Sequence, residues 1–355
     1  MRRVLFFSPE PGGAATLTPV IRLLEQEKEY EIVVTGYGHG LKRFLQNGVK
    51  CLEIGNIAKD DMEVIERYEP DFIITSATSL PRFDMSEKHL WHNARKAGIK
   101  TFAFIDQWQN YKIRFSGTSD DETLYYLPDY INCIDSTART EMISEGFSES
   151  ILYPLGHPYL TELKNAYEAL NPEDIYRKLK VQNRPVDPER TLLFVSEAIR
   201  EHFGTVRGYD QYQVLEYFLE NIRKSAPEAL VLVKLHPKDD IKNFDEITSQ
   251  FKDINPIYCQ DDLSSLECLH ASNYIFGMTS MMLIEGFILG KVIVSLQPGL
   301  KIEDPLVLTR KRKIPLLKDH EEFDVFGFCA GNTNDFNINF DKEIFLNFLE
   351  TVINY

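Results

Sequence analysis

Short runs of apolar, often β-branched residues alternate with longer helix-patterned segments along the whole chain. The runs are Val4–Phe7, Glu31–Thr35, Val49–Ile54, Asp71–Thr75, Thr101–Ile105 and Tyr130–Ile134, then Thr191–Val195, Ala229–Lys234, Tyr274–Phe276 and Val292–Leu296. Near-continuous apolar runs of this kind suit strands buried on both faces, with helices as the crossovers of a parallel sheet. The alternation therefore predicts an α/β chain built from Rossmann-like units. It pauses once, where a helix over Leu160–Leu170 gives way to Asn171-Pro172 and to a polar segment, Val181–Glu189, carrying Pro185 and Pro188. A chain of 355 residues is long enough for two domains. The pause divides it into an N-terminal Rossmann-like domain at 1–170, a linker at 171–189 and a second Rossmann-like domain at 190–340. A terminal helix at 341–355 is expected to pack back on the first domain, and the two domains to face each other across a cleft.

The net charge of −15 argues against a nucleic-acid partner. Arg310-Lys311-Arg312-Lys313 is a local basic run and reads as a solvated loop. The cysteines Cys51, Cys133, Cys259, Cys268 and Cys329 form no C-x-x-C pair, so neither a zinc site nor a redox motif is expected, and a reducing, cytoplasmic compartment fits. Pro9, Glu10 and two glycines interrupt the N-terminal apolar run at once, which is unlike a signal peptide. No window is apolar for long enough to span a membrane. Peripheral association with the inner face of a membrane stays open.

Ligands of doubly wound sheets bind beyond the carboxyl ends of the strands, so residues there are the candidates. In the first half these are Glu10 in the opening loop, Gly12 and Gly13 where the backbone can approach a ligand, the Thr75–Ser79 hydroxyl run, and Asp106 after the Thr101–Ile105 strand. The turn Ser8–Thr16 is not G-x-G-x-x-G, so no dinucleotide fingerprint is present. A carboxylate at Asp106 or Glu10 is placed to take a proton from a hydroxyl. Trp108 and Tyr111 could stack on a sugar or close the loop, and His157 reads as a hinge or cleft residue.

In the second half the stretch Asn273–Pro298 stands out. A strand ends at Gly277, hydroxyls follow at Thr279 and Ser280, and an apolar helix carries Glu285 in its interior. Free N–H groups and the dipole of a helix N-terminus suit a phosphate, and short hydroxyls add donors; equally, Thr279 or Ser280 reads as a plain N-cap. His236, before Pro237 at the end of the Ala229–Lys234 strand, can donate to a phosphate oxygen. Glu285, a carboxylate on an apolar helix, needs a partner, and a ribose diol would serve. Glu197 and Arg200 are further cleft candidates.

Two Rossmann-like halves, a linker near residue 170 and a terminal helix resemble the GT-B architecture. Leu235-His236-Pro237, Met278-Thr279-Ser280, Glu285 and Gly290-Lys291 resemble motifs of CDP-glycerol glycerophosphotransferases, capsule Kdo transferases and bacterial sialyltransferases, over about 100 residues. This chain has Val292 where those families carry Pro, and Thr-Ser in place of Ser-Ser. The resemblance implies an inverting, metal-independent glycosyltransferase of bacterial surface-polysaccharide synthesis. It would move a sugar or polyol phosphate from a nucleotide-activated donor to a glycan or lipid-linked acceptor, with no cofactor beyond that co-substrate. Phosphate would lie on Thr279, Ser280 and His236, ribose on Glu285, and the base would be Asp106 or Glu10. Two alternatives stand beside it. One is a non-hydrolysing UDP-N-acetylhexosamine 2-epimerase, whose opening unit is similar to Leu5–Pro19 but whose His-Arg-Arg-x-Glu run falls at Ser196–Glu201, where the His and the paired arginines are lacking. The other is a non-catalytic nucleotide-sugar-binding partner of a glycan-synthesis complex.

Overall fold

The computed structural model describes residues 1–78, 80–180, 186–259 and 263–353. The chain forms two compact units: unit 1, Met1–Glu162 with Asn337–Tyr355, and unit 2, Leu163–Phe336.

Unit 1 runs β1 (Arg2–Phe7), α1 (Pro11–Gln26), β2 (Tyr30–Gly36), α2 (Gly38–Gln46), β3 (Leu52–Glu53), α3 (Glu63–Tyr68), β4 (Phe72–Ser76), α4 (Ser86–Ala97), β5 (Lys100–Phe104), α5 (Tyr111–Arg114), β6 (Tyr130–Asn132), α6 (Ser136–Ser144) and β7 (Leu152–Tyr153). Its seven strands are parallel in the order β3-β2-β1-β4-β5-β6-β7. Val4–Phe7 and Phe72–Ser76 are wholly buried, as continuous apolar runs in a two-sided sheet must be. The helix α7 (Pro158–Glu168) contains the division between the units.

Unit 2 continues with α8 (Pro172–Lys180), β8 (Thr191–Val195), α9 (Ile199–Phe203), α10 (Gln211–Ser225), β9 (Leu230–Lys234), α11 (Ile241–Thr248), β10 (Ile257–Cys259), α12 (Ser265–Ala271), β11 (Tyr274–Gly277), α13 (Met281–Ile288), β12 (Val292–Leu296), α14 (Val307–Arg310) and β13 (Leu316–Leu317). Its six strands are parallel in the order β10-β9-β8-β11-β12-β13. The last helix, α15 (Lys342–Ile353), belongs to unit 1. Phe345 meets Phe102 and Phe104 edge-on at 5.8 and 5.7 Å between ring centroids.

Several elements differ from the sequence reading. The strand expected at Val49–Ile54 shrinks to Leu52–Glu53, a short edge strand on β2, and short edges limit unwanted pairing. The segment 171–189 is not linker throughout: Asn171 accepts from the Glu173 N–H and Pro172 starts α8, whose Ile175 and Leu179 are buried. Residues 181–185 of it lie outside the described residues. From sequence a helix is also expected at Asp262–His270; α12 begins after the Ser264 cap, and Asp262 lies outside the described residues. The basic run Arg310–Lys313 closes α14. Among the described residues no helix is long and apolar enough to cross a membrane.

Candidate functional site

In a doubly wound sheet the strand order reverses at one point, and the crevice there opens between the two diverging loops. In unit 2 that point lies between β8 and β11, paired from Tyr274↔Leu192 to Gly277↔Val195. The loops leaving it are Ser196-Glu197-Ala198 and Met278-Thr279-Ser280. Ser280 caps α13, its hydroxyl accepting from the Met282 N–H. Thr279 is turned the other way. Its N–H and its hydroxyl both donate to the Glu197 carboxylate, the hydroxyl at 2.7 Å. The Ser280 N–H adds to them. Arg207 Nη1 donates to Thr279 Oγ1 at 2.8 Å. Burial pushes the Glu197 carboxyl up, while Arg207, Thr279 and Ser280 pull it back. Arg207 is 2% exposed and lies on the Phe203 ring, 4.0 Å from its centroid. Gly208 makes this approach possible: its φ is +91°, and a Cβ there would meet the Gly299 carbonyl oxygen at 2.1 Å.

Glu285, one and a half turns into α13, is buried. His236 lies at the end of β9, next to β8 on the same sheet edge. Its N–H donates to Asp239 Oδ2 at 2.8 Å, and its Nδ1 accepts from the Lys238 N–H at 3.1 Å, which puts the proton of the neutral ring on Nε2. Burial pushes the Asp239 carboxyl up. Arg200 is drawn elsewhere: it grips Asp210, the cap of α10, at 2.9 and 2.6 Å and covers the Tyr212 ring. Thus Glu197, Thr279, Ser280 and Arg207 come together beyond Gly277, whereas Arg200 does not join them.

In unit 1 the order reverses between β1 and β4. The N-terminus of α1, after Glu10, enters this point tightly. A Cβ on Gly12 would meet Asp106 Oδ2 at 2.5 Å, and one on Gly13 would meet Ser76 at 2.3 Å and Ser8 Oγ at 2.5 Å. These glycines are therefore required by packing against the chain itself. Asp106 is 6% exposed, and its Oδ1 accepts from Arg114 Nη1 at 2.7 Å. The same nitrogen reaches the Ala77 carbonyl. His157, fully buried, contacts the Asp106 carbonyl through Nε2 at 3.1 Å and stacks with Trp108. Trp108 and Tyr111, expected to meet a sugar, are buried in the protein; the Tyr111 hydroxyl donates to Glu141 at 2.7 Å. In the Thr75–Ser79 run, Thr75 accepts from Trp91, and the Ser76 hydroxyl is hydrogen-bonded to both Ser8 and Glu87. Ser79 lies outside the described residues.

The sequence reading missed Arg114, Glu87, Lys88 and Arg207. Glu87 and Lys88 sit on a helix whose other charged residues face water, and both are buried. The clue was available: they directly precede the buried pair Leu90 and Trp91, within one turn. Burial pushes the Lys88 ammonium down to about 8, against the attraction of Glu87 and Asp84. Its folded value is depressed, so between that value and the ordinary lysine value the unfolded chain holds a proton the folded chain has released. Stability rises with pH across this window, by up to about 3 kcal/mol, and is lost as pH falls through the folded value. Both tryptophans, Trp91 and Trp108, belong to unit 1, so their fluorescence in urea titrations follows that unit. Lys88→Met is expected to flatten the slope between pH ~8 and ~10.5; equal slopes in variant and parent would refute this.

No protein-family model matches the chain, and no curated protein does. Solved structures do, along their whole length. The UDP-GlcNAc 2-epimerase of Methanocaldococcus jannaschii, in complex with UDP-GlcNAc and UDP, is 15% identical, with a TM-score of 0.69 over 99% of this chain and 100% of that one. The UDP-GlcNAc 2-epimerase of Neisseria meningitidis bound to UDP-GlcNAc is 13% identical, with a TM-score of 0.66 over 99% and 100%. The S. aureus MnaA–UDP structure is 14% identical, with a TM-score of 0.66 over 100% and 97%. The fold is thus a two-domain α/β arrangement of the GT-B type, shared with UDP-GlcNAc 2-epimerases. This corrects the main functional expectation. A glycosyltransferase acting on a glycan or lipid-linked acceptor is set aside, because the likenesses fall on epimerases. The His-Pro and Thr-Ser signals describe the end of a sheet, and a sheet edge that suits a nucleotide does not specify the reaction done on it.

Proposed function

We propose that the protein binds a UDP-linked N-acetylhexosamine and inverts it at C2. The observation that carries this reading is the set of donors at the β8–β11 reversal point: Thr279 and Ser280 at the head of α13, backed by buried Arg207. Such donors suit the diphosphate; Glu285 would take the ribose, and Nε2 of His236 would donate to a phosphate oxygen. The whole-length likeness to epimerases seen with UDP and UDP-GlcNAc supports the choice of nucleotide. Inversion at C2 requires a proton to leave one face of the carbon and return to the other. The nucleotide sugar is the small-molecule partner, with no separate cofactor.

A second reading, a nucleotide-sugar binder without turnover, is favoured by Ser196–Glu201, which lacks the His and paired arginines of the epimerase run. One experiment separates them. The protein is incubated with UDP-N-acetylglucosamine and followed by proton NMR, and its melting is measured with UDP, CDP, CMP and GDP. Epimerisation predicts the mannosamine epimer and the largest stabilisation by UDP, about 2.7 kcal/mol at a hundredfold excess over Kd. Stabilisation without conversion supports the binder. Neither response to UDP would overturn both.

A further inference from the structure

The donors at the head of α13 are already occupied by an anion that belongs to the chain. The Glu197 carboxylate takes the Thr279 N–H, the Thr279 hydroxyl and the Ser280 N–H, which are the groups a phosphate oxygen would take. Arg207 stands behind them, and its buried Nε has no hydrogen-bond partner among the described residues. That donor on a buried guanidinium is one that Glu197 does not satisfy.

We infer that Glu197 is an internal occupant of the phosphate cradle, which a phosphate-bearing ligand must displace in order to bind. The inference rests on the nucleotide reading of this site. Exchange is feasible on two grounds. The residue as a whole is half-buried, so a rotation about its side chain carries the carboxylate to water while the strand end stays fixed. Burial also disfavours the charged form where it sits, so release into water recovers hydration. Phosphate, with more acceptor oxygens than a carboxylate, can use the spare Arg207 donor as well. Glu197 therefore weakens every ligand that uses the cradle by one common factor. This sets a threshold that only ligands anchored by further contacts pass, such as a nucleotide with its ribose on Glu285.

The test is calorimetric titration of inorganic pyrophosphate and of UDP into the full-length protein, Glu197→Gln and Glu197→Ala. Both ligands are expected to tighten by the same factor, about tenfold or more, in both variants. Glu197→Gln keeps the size of the side chain, so it carries the test if Glu197→Ala melts early by circular dichroism. Unchanged or weaker pyrophosphate binding in Glu197→Gln overturns the inference, as does pyrophosphate failing to bind every form. If pyrophosphate tightens while UDP binds no better than pyrophosphate in any form, the internal occupant stands and the nucleotide reading falls.

Discussion

Arg114→Met is expected to destabilise unit 1 by about 3–5 kcal/mol. The guanidinium is 4% exposed and ties the loops after β4 and β5 together: it donates to Asp106 Oδ1, to the Ala77 carbonyl and, through Nε, to the Gln109 carbonyl. Its loss strands the Asp106 carboxylate, 6% exposed, beside Gly12. A buried charge without its partner costs far more than the intact pair contributes, because desolvation is no longer offset. Urea unfolding followed by tryptophan fluorescence measures the loss, since Trp108 lies two residues from Asp106. The double variant Asp106→Asn with Arg114→Met should recover part of it, the stranded charge being gone. A loss below about 1 kcal/mol in the single variant would show that the pair does not hold these loops.

The second large effect concerns ligand affinity. Arg207→Met is expected to weaken UDP on the order of 100-fold, the value of a charge-assisted hydrogen bond made out of water. Arg207 holds Thr279 Oγ1 in place and is the cation beside the cradle. Arg207→Lys keeps the charge and loses the planar fork, so its affinity should fall between the two. Calorimetry decides: if Arg207→Met binds UDP within about threefold of the parent, the diphosphate lies elsewhere.

Much of the fold was legible because burial on both faces leaves continuous apolar runs such as Val4–Phe7 and Thr191–Val195, and these became β1 and β8. The helix α8 was hidden because its polar exposed face blends with the proline-bearing segment that follows; Ile175 and Leu179, spaced by four, were the only apolar signal. Thr279, Ser280 and Glu285 were readable as a strand–turn–helix with hydroxyls at the turn. What could not be read is which donors face which acceptors. Ser280 turned out to be the cap and Thr279 the residue that meets Glu197. Arg207, eleven residues beyond Ser196 in a loop with no periodic pattern, reaches the site only because the turn at Gly208 folds back. Gly12 and Gly13 carry the same lesson. Local sequence marks a close backbone approach but leaves unstated whether a ligand or the protein's own Asp106 and Ser76 makes it.

The return of α15 to unit 1 bears on how the chain is made. The core of unit 1 joins Phe6, Phe102 and Phe104 to Phe340, Phe345 and Leu349, and all of unit 2 lies between those groups in sequence. On a ribosome, unit 2 has its full complement of residues first, while the strands of unit 1, emerged long before, wait with the aromatic face of β5 uncovered. Domains commonly fold in order of synthesis; here the first to begin is the last able to finish. That interval, when Phe102 and Phe104 lie open to water, is when the nascent chain is most exposed to misassembly.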